Sequence, residues 1–297
     1  HCSVSGCGDN LAHDDADAIE QAKHLFSYLP DRWRDRPQPV ESEQCVRTLT
    51  RAELPAAEAA GYDMHKVIEC IVDAHSFFEL KPLFAPELTT GFARLDGHVV
   101  GVVANNPMHK GGVLFGDSAD KAARFVWTCD AYNIPIVFLA DVPGFMIGSQ
   151  VERHGIIRHG AKMITAITEA TVPKISVIVR KAYGAGLYAM CGPAFDPIAV
   201  IALPTAKIAV MGPEAAVNAV FANKIQAIDD ADERAAYVAA RRAEYEEDVD
   251  LYRLASELVI DSVIPFEALR DELIVRFSMA DPVDRRAIEK HHAIYMG

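Results

Sequence analysis

The sequence predicts an α/β protein in which helices cover a largely parallel sheet. Residues 134–140 and 174–179 are unbroken apolar runs of the buried parallel-strand type. From about residue 118 onward, helical and strand-like segments alternate, the pattern of an α/β layered domain. A third signal is Asp96-Gly97, which separates the β-rich runs 91–95 and 99–103 and marks a hairpin.

The elements follow in order. After a short glycine-containing opening, residues 14–29 place Ala18, Ile19, Ala22, Leu25, Phe26 and Leu29 at helical spacing, with acidic residues in the first turn. Residues 30–61 carry Pro30, Pro37, Pro39 and Pro55 among many charges and read as a linker wrapped over a surface, so a domain boundary falls there. A helical pattern runs from Met64 to about Phe78 and leads into the hairpin. Then come a helix over 118–132, the strand 134–140, a helix over 155–170 and the strand 174–179. A short helix from Ala185, strands at 198–202 and 207–210, and a helix after Pro213 complete the alternation. Residues 229–253 are charged and alanine-rich in a helical register, fitting a solvated helix face or an arm packed on another subunit. A last helix covers 266–279, and no internal repeat or low-complexity tract occurs.

Composition narrows the function. With 51% hydrophobic and 24% charged residues, the chain is of ordinary globular make-up. Its 29 basic and 42 acidic side chains leave a net charge of -13, which argues against nucleic acid or an anionic membrane as a partner. No apolar stretch approaches the roughly 20 residues that span a bilayer, and nothing at the start resembles a signal peptide. The cytoplasm is the expected location. The six cysteines, at 2, 7, 45, 70, 129 and 191, form no paired CxxC motifs. Reduced, packed thiols are expected and no metal site. The opening His1 is not an initiator methionine, so a fragment is the expectation.

Two glycine-bearing turns follow the buried strands: Asp141-Val142-Pro143-Gly144-Phe145 and Ala182-Tyr183-Gly184-Ala185-Gly186. Ligands of parallel sheets bind at the carboxyl ends of strands. Glycine allows close backbone approach, and the first amides of a helix lack internal acceptors. Such a turn can stabilise an oxyanion; it equally fits tight strand-helix packing. Gly111-Gly112 reads as a turn that permits close packing, with Asp117 or Ser118 capping the next helix. There is no P-loop, no dinucleotide-type GxGxxG and no GxSxG elbow. Asp141, Glu152, His154, His159, Glu169 and Asp196 are the available acid-base groups, and Cys191 reads as a packed thiol. Backbone donors without an obvious catalytic side chain are what remains.

Further motifs lie at consistent spacing: Gly91-Phe92-Ala93-Arg94, Gly111-Gly112-Val113-Leu114, Ala119 through Phe125, Asn133-Ile134-Pro135, Gly155 through Lys162, Ala170 through Lys174 and Pro204 through Gly212. Together with the two turns they resemble the carboxyltransferase β-chain family of biotin-dependent acyl-CoA carboxylases, of propionyl-CoA and methylcrotonyl-CoA type. The resemblance implies a crotonase-like (ClpP/crotonase) C-terminal domain over 62–297, a linker over 31–61, and the tail of an N-terminal carboxyltransferase domain over 1–30. It implies an active site between the N-domain of one subunit and the C-domain of another, the latter receiving biotin. The backbone amides of Ala185 and Gly186 would then form the biotin-side oxyanion hole. Gly144, Phe145, Tyr183 and Gly184 would line the biotin pocket, and Tyr188 would select the acyl group.

Biotin would arrive on a biotin carboxylase/biotin carrier α subunit, the second ligand would be an acyl-CoA, and the assembly would be a homo-oligomer, a hexamer of stacked trimers. The implied reaction moves a carboxyl group from carboxybiotin to the α- or γ-carbon of a short or branched acyl-CoA, with propionyl-CoA favoured. Propionyl-type enzymes tend to carry aspartate where Tyr188 stands, and Gly184-Ala185-Gly186 is closer to the methylcrotonyl pattern. Arg180-Lys181-Ala182-Tyr183 and Pro204-Thr205-Ala206 resemble the propionyl type, so the acyl group stays open. Three further readings are a biotin-dependent decarboxylase or transcarboxylase, a non-catalytic half that binds carrier and partner, and a crotonase-type hydratase.

Overall fold

A computed structural model of the chain describes residues 1–33, 35–247 and 250–280. Helix α1 (Asp15–Phe26) opens on the Asp14 carboxylate, which accepts the Asp17 amide at 2.9 Å. Its last turn delivers Tyr28 into the core, where the ring stacks on Phe92 at 5.9 Å between centroids. The described residues among 30–61 form no strand and only a 3₁₀ turn at Arg51–Glu53, yet Leu49 and Leu54 are buried in the core.

The helix expected over 64–78 is only one turn long, α2 (His65–Ile68). Beyond it the backbone serves long-range bonds: the Asp73 carboxylate accepts the Asp96 and Gly97 amides at 2.9 and 2.7 Å. His75 takes a positive φ of 57° that an α-helix does not allow. Strands β1 (Phe78–Leu80), β2 (Leu88–Leu95) and β3 (His98–Asn105) follow, antiparallel. Asp96 and Gly97 turn the hairpin with φ of 54° and 78°, the positive values that Asp-Gly supplies.

Helix α3 (Gly116–Ala131) then leads to β4 (Ile136–Val142), α4 (Ser149–Arg153) and α5 (Ile156–Glu169). Strand β5 (Lys174–Tyr183) is followed by α6 (Ala185–Ala189), β6 (Ala199–Ala202) and β7 (Lys207–Ala209). Helices α7 (Pro213–Gln226), α8 (Ala231–Glu247) and α9 (Leu251–Ser256), strand β8 (Ser262–Val263) and helix α10 (Leu269–Ala280) complete the described chain. The sheet order is β1-β2-β3-β4-β5-β6-β8, parallel from β3 onward, with β7 paired to β5.

Strands buried on both faces alternate their side chains between two apolar layers. Phe138, Ala140 and Val142 of β4 face the layer that holds Tyr28, α3 and α5. Val137 and Leu139 face the layer formed by α2, Leu49, Leu54, Leu269 and Leu273. The α/β expectation holds, and one difference matters for the site. Strand β5 does not stop near Val179 but runs to Tyr183, through a bulge at which Ala140 pairs with Ile178 and Val142 with Ala182. Strand β7 pairs with that extension, Lys181 to Lys207 and Tyr183 to Ala209. Helices α7 and α8 lie against each other, with Phe221 edge-on to Tyr237 at 6.2 Å. Among the described residues no helix is long and apolar enough to cross a membrane.

Candidate active site

The two glycine turns meet at the carboxyl ends of β4 and β5. The first is fastened by backbone: the Leu114 amide donates to the Gly144 carbonyl at 3.1 Å, and the Met146 amide to Leu114 at 2.8 Å. The second begins at Gly184, whose φ of 53° and ψ of -136° suit glycine, and a Cβ there would lie 2.8 Å from the Val210 carbonyl. Its amide donates to Ala209 at 2.9 Å, the last rung between β5 and β7. Ala185 and Gly186 open α6, where no preceding helical turn offers a carbonyl to their amides. Gly186 rests on the first turn: a Cβ would approach Val142 Cγ2 to 2.8 Å and Gly144 Cα to 3.0 Å. Ala185 is exposed and Gly186 buried, so the pair forms a backbone cradle open on one side.

A buried charge lies behind both turns. Asp141, fully buried, occupies the bulge and accepts Arg180 Nε at 2.9 Å and the Lys181 amide at 3.2 Å, with Lys181 Nζ at 3.6 Å. The Asp141 amide donates to Asn105 Oδ1 at 3.2 Å, and Asn105 Nδ2 donates to the Gly112 carbonyl at 3.3 Å. Gly112 has a φ of 76°, and a Cβ would lie 2.7 Å from the Asp141 carbonyl, so Gly112 serves close packing, while Gly111, with a φ of 65° and nothing within 4 Å of a Cβ, serves the turn alone. Arg180 extends to the Ala57 and Ala60 carbonyls at 3.2 and 3.0 Å, and its guanidinium lies 4.9 Å from the centre of the Tyr62 ring. Burial, with Asp141 adding to it, pushes the Tyr62 hydroxyl far above its ordinary pKa.

Residues 57–62 thus strap the strand ends from behind. Glu58 is part of that strap: its carboxylate accepts the Tyr183 hydroxyl at 2.6 Å and Lys207 Nζ at 2.8 Å. Burial raises the Glu58 pKa, but the hydrogen bonds from Lys207 and Tyr183 outweigh it and hold the group below its usual range.

Among the residues singled out from the sequence, Gly144, Gly184, Ala185 and Gly186 come together. Tyr183 joins them through its backbone, its ring being 3% exposed with the hydroxyl on Glu58. Phe145 is half-buried against Gly160, whose Cβ would come within 3.2 Å of the ring. Tyr188 is 48% exposed on α6 and packs on Phe195 at 5.7 Å between centroids. The acid-base groups are elsewhere or engaged. His159 Nδ1 is 2.9 Å from Asp120, which also takes Lys162 at 2.8 Å. Glu152, His154, Glu169 and Asp196 are exposed. Cys191 is fully buried and burial raises its thiol to about 12, an inert packed group. Cys70 and Cys129 are buried as well, whereas Cys7 is exposed.

Glu58 and the Asp141-Arg180 pair are not apparent from local sequence. One signal was available: an aspartate at the end of one apolar strand and an Arg-Lys pair at the end of the next, beside the two glycine turns.

A largely parallel sheet whose strand ends present paired glycine turns, fixed by a buried ion pair, fits the crotonase-like fold class. Within it, the chain belongs to the carboxyl transferase domain family, whose model matches residues 1–295. An uncharacterized carboxylase, YngE of Bacillus subtilis, is 55% identical over 99% of this chain and 58% of its own length. A putative propionyl-CoA carboxylase beta chain of the same organism is 40% identical over 98% of this chain and 57% of its own. The structure of transcarboxylase 12S, a hexamer assembly with methylmalonyl-coenzyme A and methylmalonic acid bound, superposes with a TM-score of 0.88. It is 41% identical, over 100% of this chain and 56% of that one. The chain therefore spans somewhat more than half the length of these relatives.

Proposed function

We propose that this chain supplies the biotin-receiving part of a carboxyltransferase site that moves a carboxyl group from carboxybiotin to a short or branched acyl-CoA, propionyl-CoA being favoured. The observation that carries the reading is the pair of amides at Ala185 and Gly186, open at the start of α6 and seated on Gly144. When bound, biotin supplies the carboxyl group and an oxygen on which negative charge develops. The Ala185 and Gly186 amides donate to that oxygen, and such preorganised donors are each worth about 10²- to 10³-fold in rate. Gly144 and Gly184 leave the approach clear of side-chain atoms, Phe145 borders it, and Tyr188 meets the acyl group. The acyl-CoA carbonyl needs a second set of donors, supplied by an N-terminal carboxyltransferase domain of which residues 1–30 are the tail. Residues 31–61 join it to the domain at 62–297, and residues 281–297 lie outside the described part. A biotin carboxylase and carrier subunit, a hexamer and the cytoplasm complete the reading.

The test is acyl-CoA-dependent decarboxylation of carboxybiotin by the full-length subunit. Turnover with one acyl-CoA of a short-chain panel is expected, and no dependence on any of them would sink the reading. A second reading, the carboxyltransferase part of a transcarboxylase, is favoured by the similarity to transcarboxylase 12S. Labelled carboxyl passing from methylmalonyl-CoA through biotin to a second acceptor would select it.

A further inference from the structure

The two glycine turns are fastened differently, and the fastening of the second involves a residue that does not touch the cradle. Tyr183 is the last residue of β5 and Gly184 the first of the turn. The ring of Tyr183 is wedged: a Cβ on Gly212 would come within 3.2 Å of it, and its hydroxyl ends on Glu58 at 2.6 Å. The other carboxylate oxygen of Glu58 takes Lys207 at 2.8 Å, and Lys207 lies on β7, the strand that pairs with this end of β5. Glu58 therefore bridges β5 and β7 beside their final rung, the Gly184 to Ala209 bond of 2.9 Å. It reaches there from residues 57–62, which Arg180 pins through the Ala57 and Ala60 carbonyls.

Resting on the reading of the Ala185-Gly186 amides as the biotin-side donors, we propose that Glu58 is a positioning residue for carboxyl transfer: by clamping Tyr183 and Lys207 it holds Gly184 in its positive-φ conformation and so aims the two amides. Without the clamp the last rung of a three-residue pairing frays, and Gly184 relaxes toward commoner backbone angles. A charge-assisted hydrogen bond with Lys207 and a short one from the buried Tyr183 suit this task, because removing the carboxylate breaks both bonds at once. The two arms also make the residue separable from its partners by substitution, since an amide at position 58 keeps an acceptor for Tyr183 while discarding the charge facing Lys207.

The experiment uses the full-length subunit and two readouts. In hydrogen exchange, the Gly184 and Leu187 amides of Glu58→Ala, bonded in the parent to the Ala209 and Gly184 carbonyls, are expected to exchange at least about tenfold faster, with β4 protection unchanged. In carboxyl transfer, kcat falls about tenfold while the acyl-CoA KM stays within about twofold, since only an interaction made in the transition state is lost. Tyr183→Phe gives a similar loss, the double variant is no slower than the slower single, and Glu58→Gln loses less because it keeps the Tyr183 acceptor. Unchanged exchange at Gly184 and Leu187, or additive losses in the double variant, would overturn the clamp. If Glu58→Ala fails to fold, Tyr183→Phe decides by the same two readouts. Gly186→Pro separates the levels: should it transfer carboxyl normally, the reading of the cradle fails, while the exchange data still decide whether Glu58 holds the turn.

Discussion

The turn after β4 and the turn after β5 sit in contact, yet they are built on different principles. The first, around Gly144, is closed by main-chain bonds to Leu114 and shares the buried Asp141 behind it. The second, Gly184 to Gly186, is backed by Asp141, Arg180 and Lys181 and flanked by Glu58, Tyr183 and Lys207. Backbone bonds suffice for a wall, whereas two amides proposed to face a developing charge without rearranging need rigid support from behind. The contrast therefore marks the second turn as the place where the chain invests polar burial.

The comparison can be broken most forcefully at Asp141. Asp141→Ala leaves Arg180 and Lys181 buried without their partner, and a loss of about 3–5 kcal/mol in unfolding free energy is expected by denaturant titration. Next in size is the donor itself: Gly186→Pro removes one amide and should cut carboxyl transfer by about 10²- to 10³-fold, with acyl-CoA binding measured by calorimetry largely intact. Equal loss of both would mean global misfolding.

At the seam between the turns, Gly112→Ala adds a Cβ where only 2.7 Å separates it from the Asp141 carbonyl, at a φ of 76°. About 1–3 kcal/mol of destabilisation is expected, read as a lowered denaturant midpoint with unchanged slope. Away from both turns, His65 is raised to about 9, chiefly by its hydrogen bond with Glu79 and further by Asp63, against burial. A base with a raised folded pKa stabilises fully below its unfolded value of 6.5 and loses that contribution as the pH climbs through about 9. Stability should fall over this window in the parent and fall less in His65→Gln. The smallest effect on folding belongs to Tyr188→Ala. An exposed ring leaves stability within about 0.5 kcal/mol, while the ratio of kcat/KM between propionyl-CoA and a branched acyl-CoA should shift.

Much of the fold was legible because it rests on local pattern. Apolar runs placed β4 and β5, Asp96-Gly97 placed the hairpin, and glycine after each buried strand located both turns. What escaped depends on contacts distant in sequence. The stretch after Ile68 has helical periodicity in Ile71 and Val72, but Asp73 is recruited to cap the hairpin 23 and 24 residues away. The end of β5 was hidden because the charges of Arg180 and Lys181 end the apolar run, whereas Asp141 neutralises them inside the sheet. Glu58, 125 residues from Tyr183, stands in a proline-bearing stretch whose composition says only that it lies on a surface. The turn residues proposed as donors were thus visible in the sequence, and their support was not.

The bulge at Asp141 also acts as a length gauge. Between the pairs Ala140-Ile178 and Val142-Ala182, β4 spends one residue and β5 spends three. The two surplus residues correspond to about 7 Å of extended chain. That surplus gives β5 a second neighbour in succession, β6 beside Ile175 to Ile178 and β7 beside Lys181 to Tyr183. Removing two residues there would keep every glycine and every amide donor yet leave β7 with no edge to join. The spacing between a strand's core and its turn is therefore a variable of this architecture in its own right, as open to change as the residues of the turn.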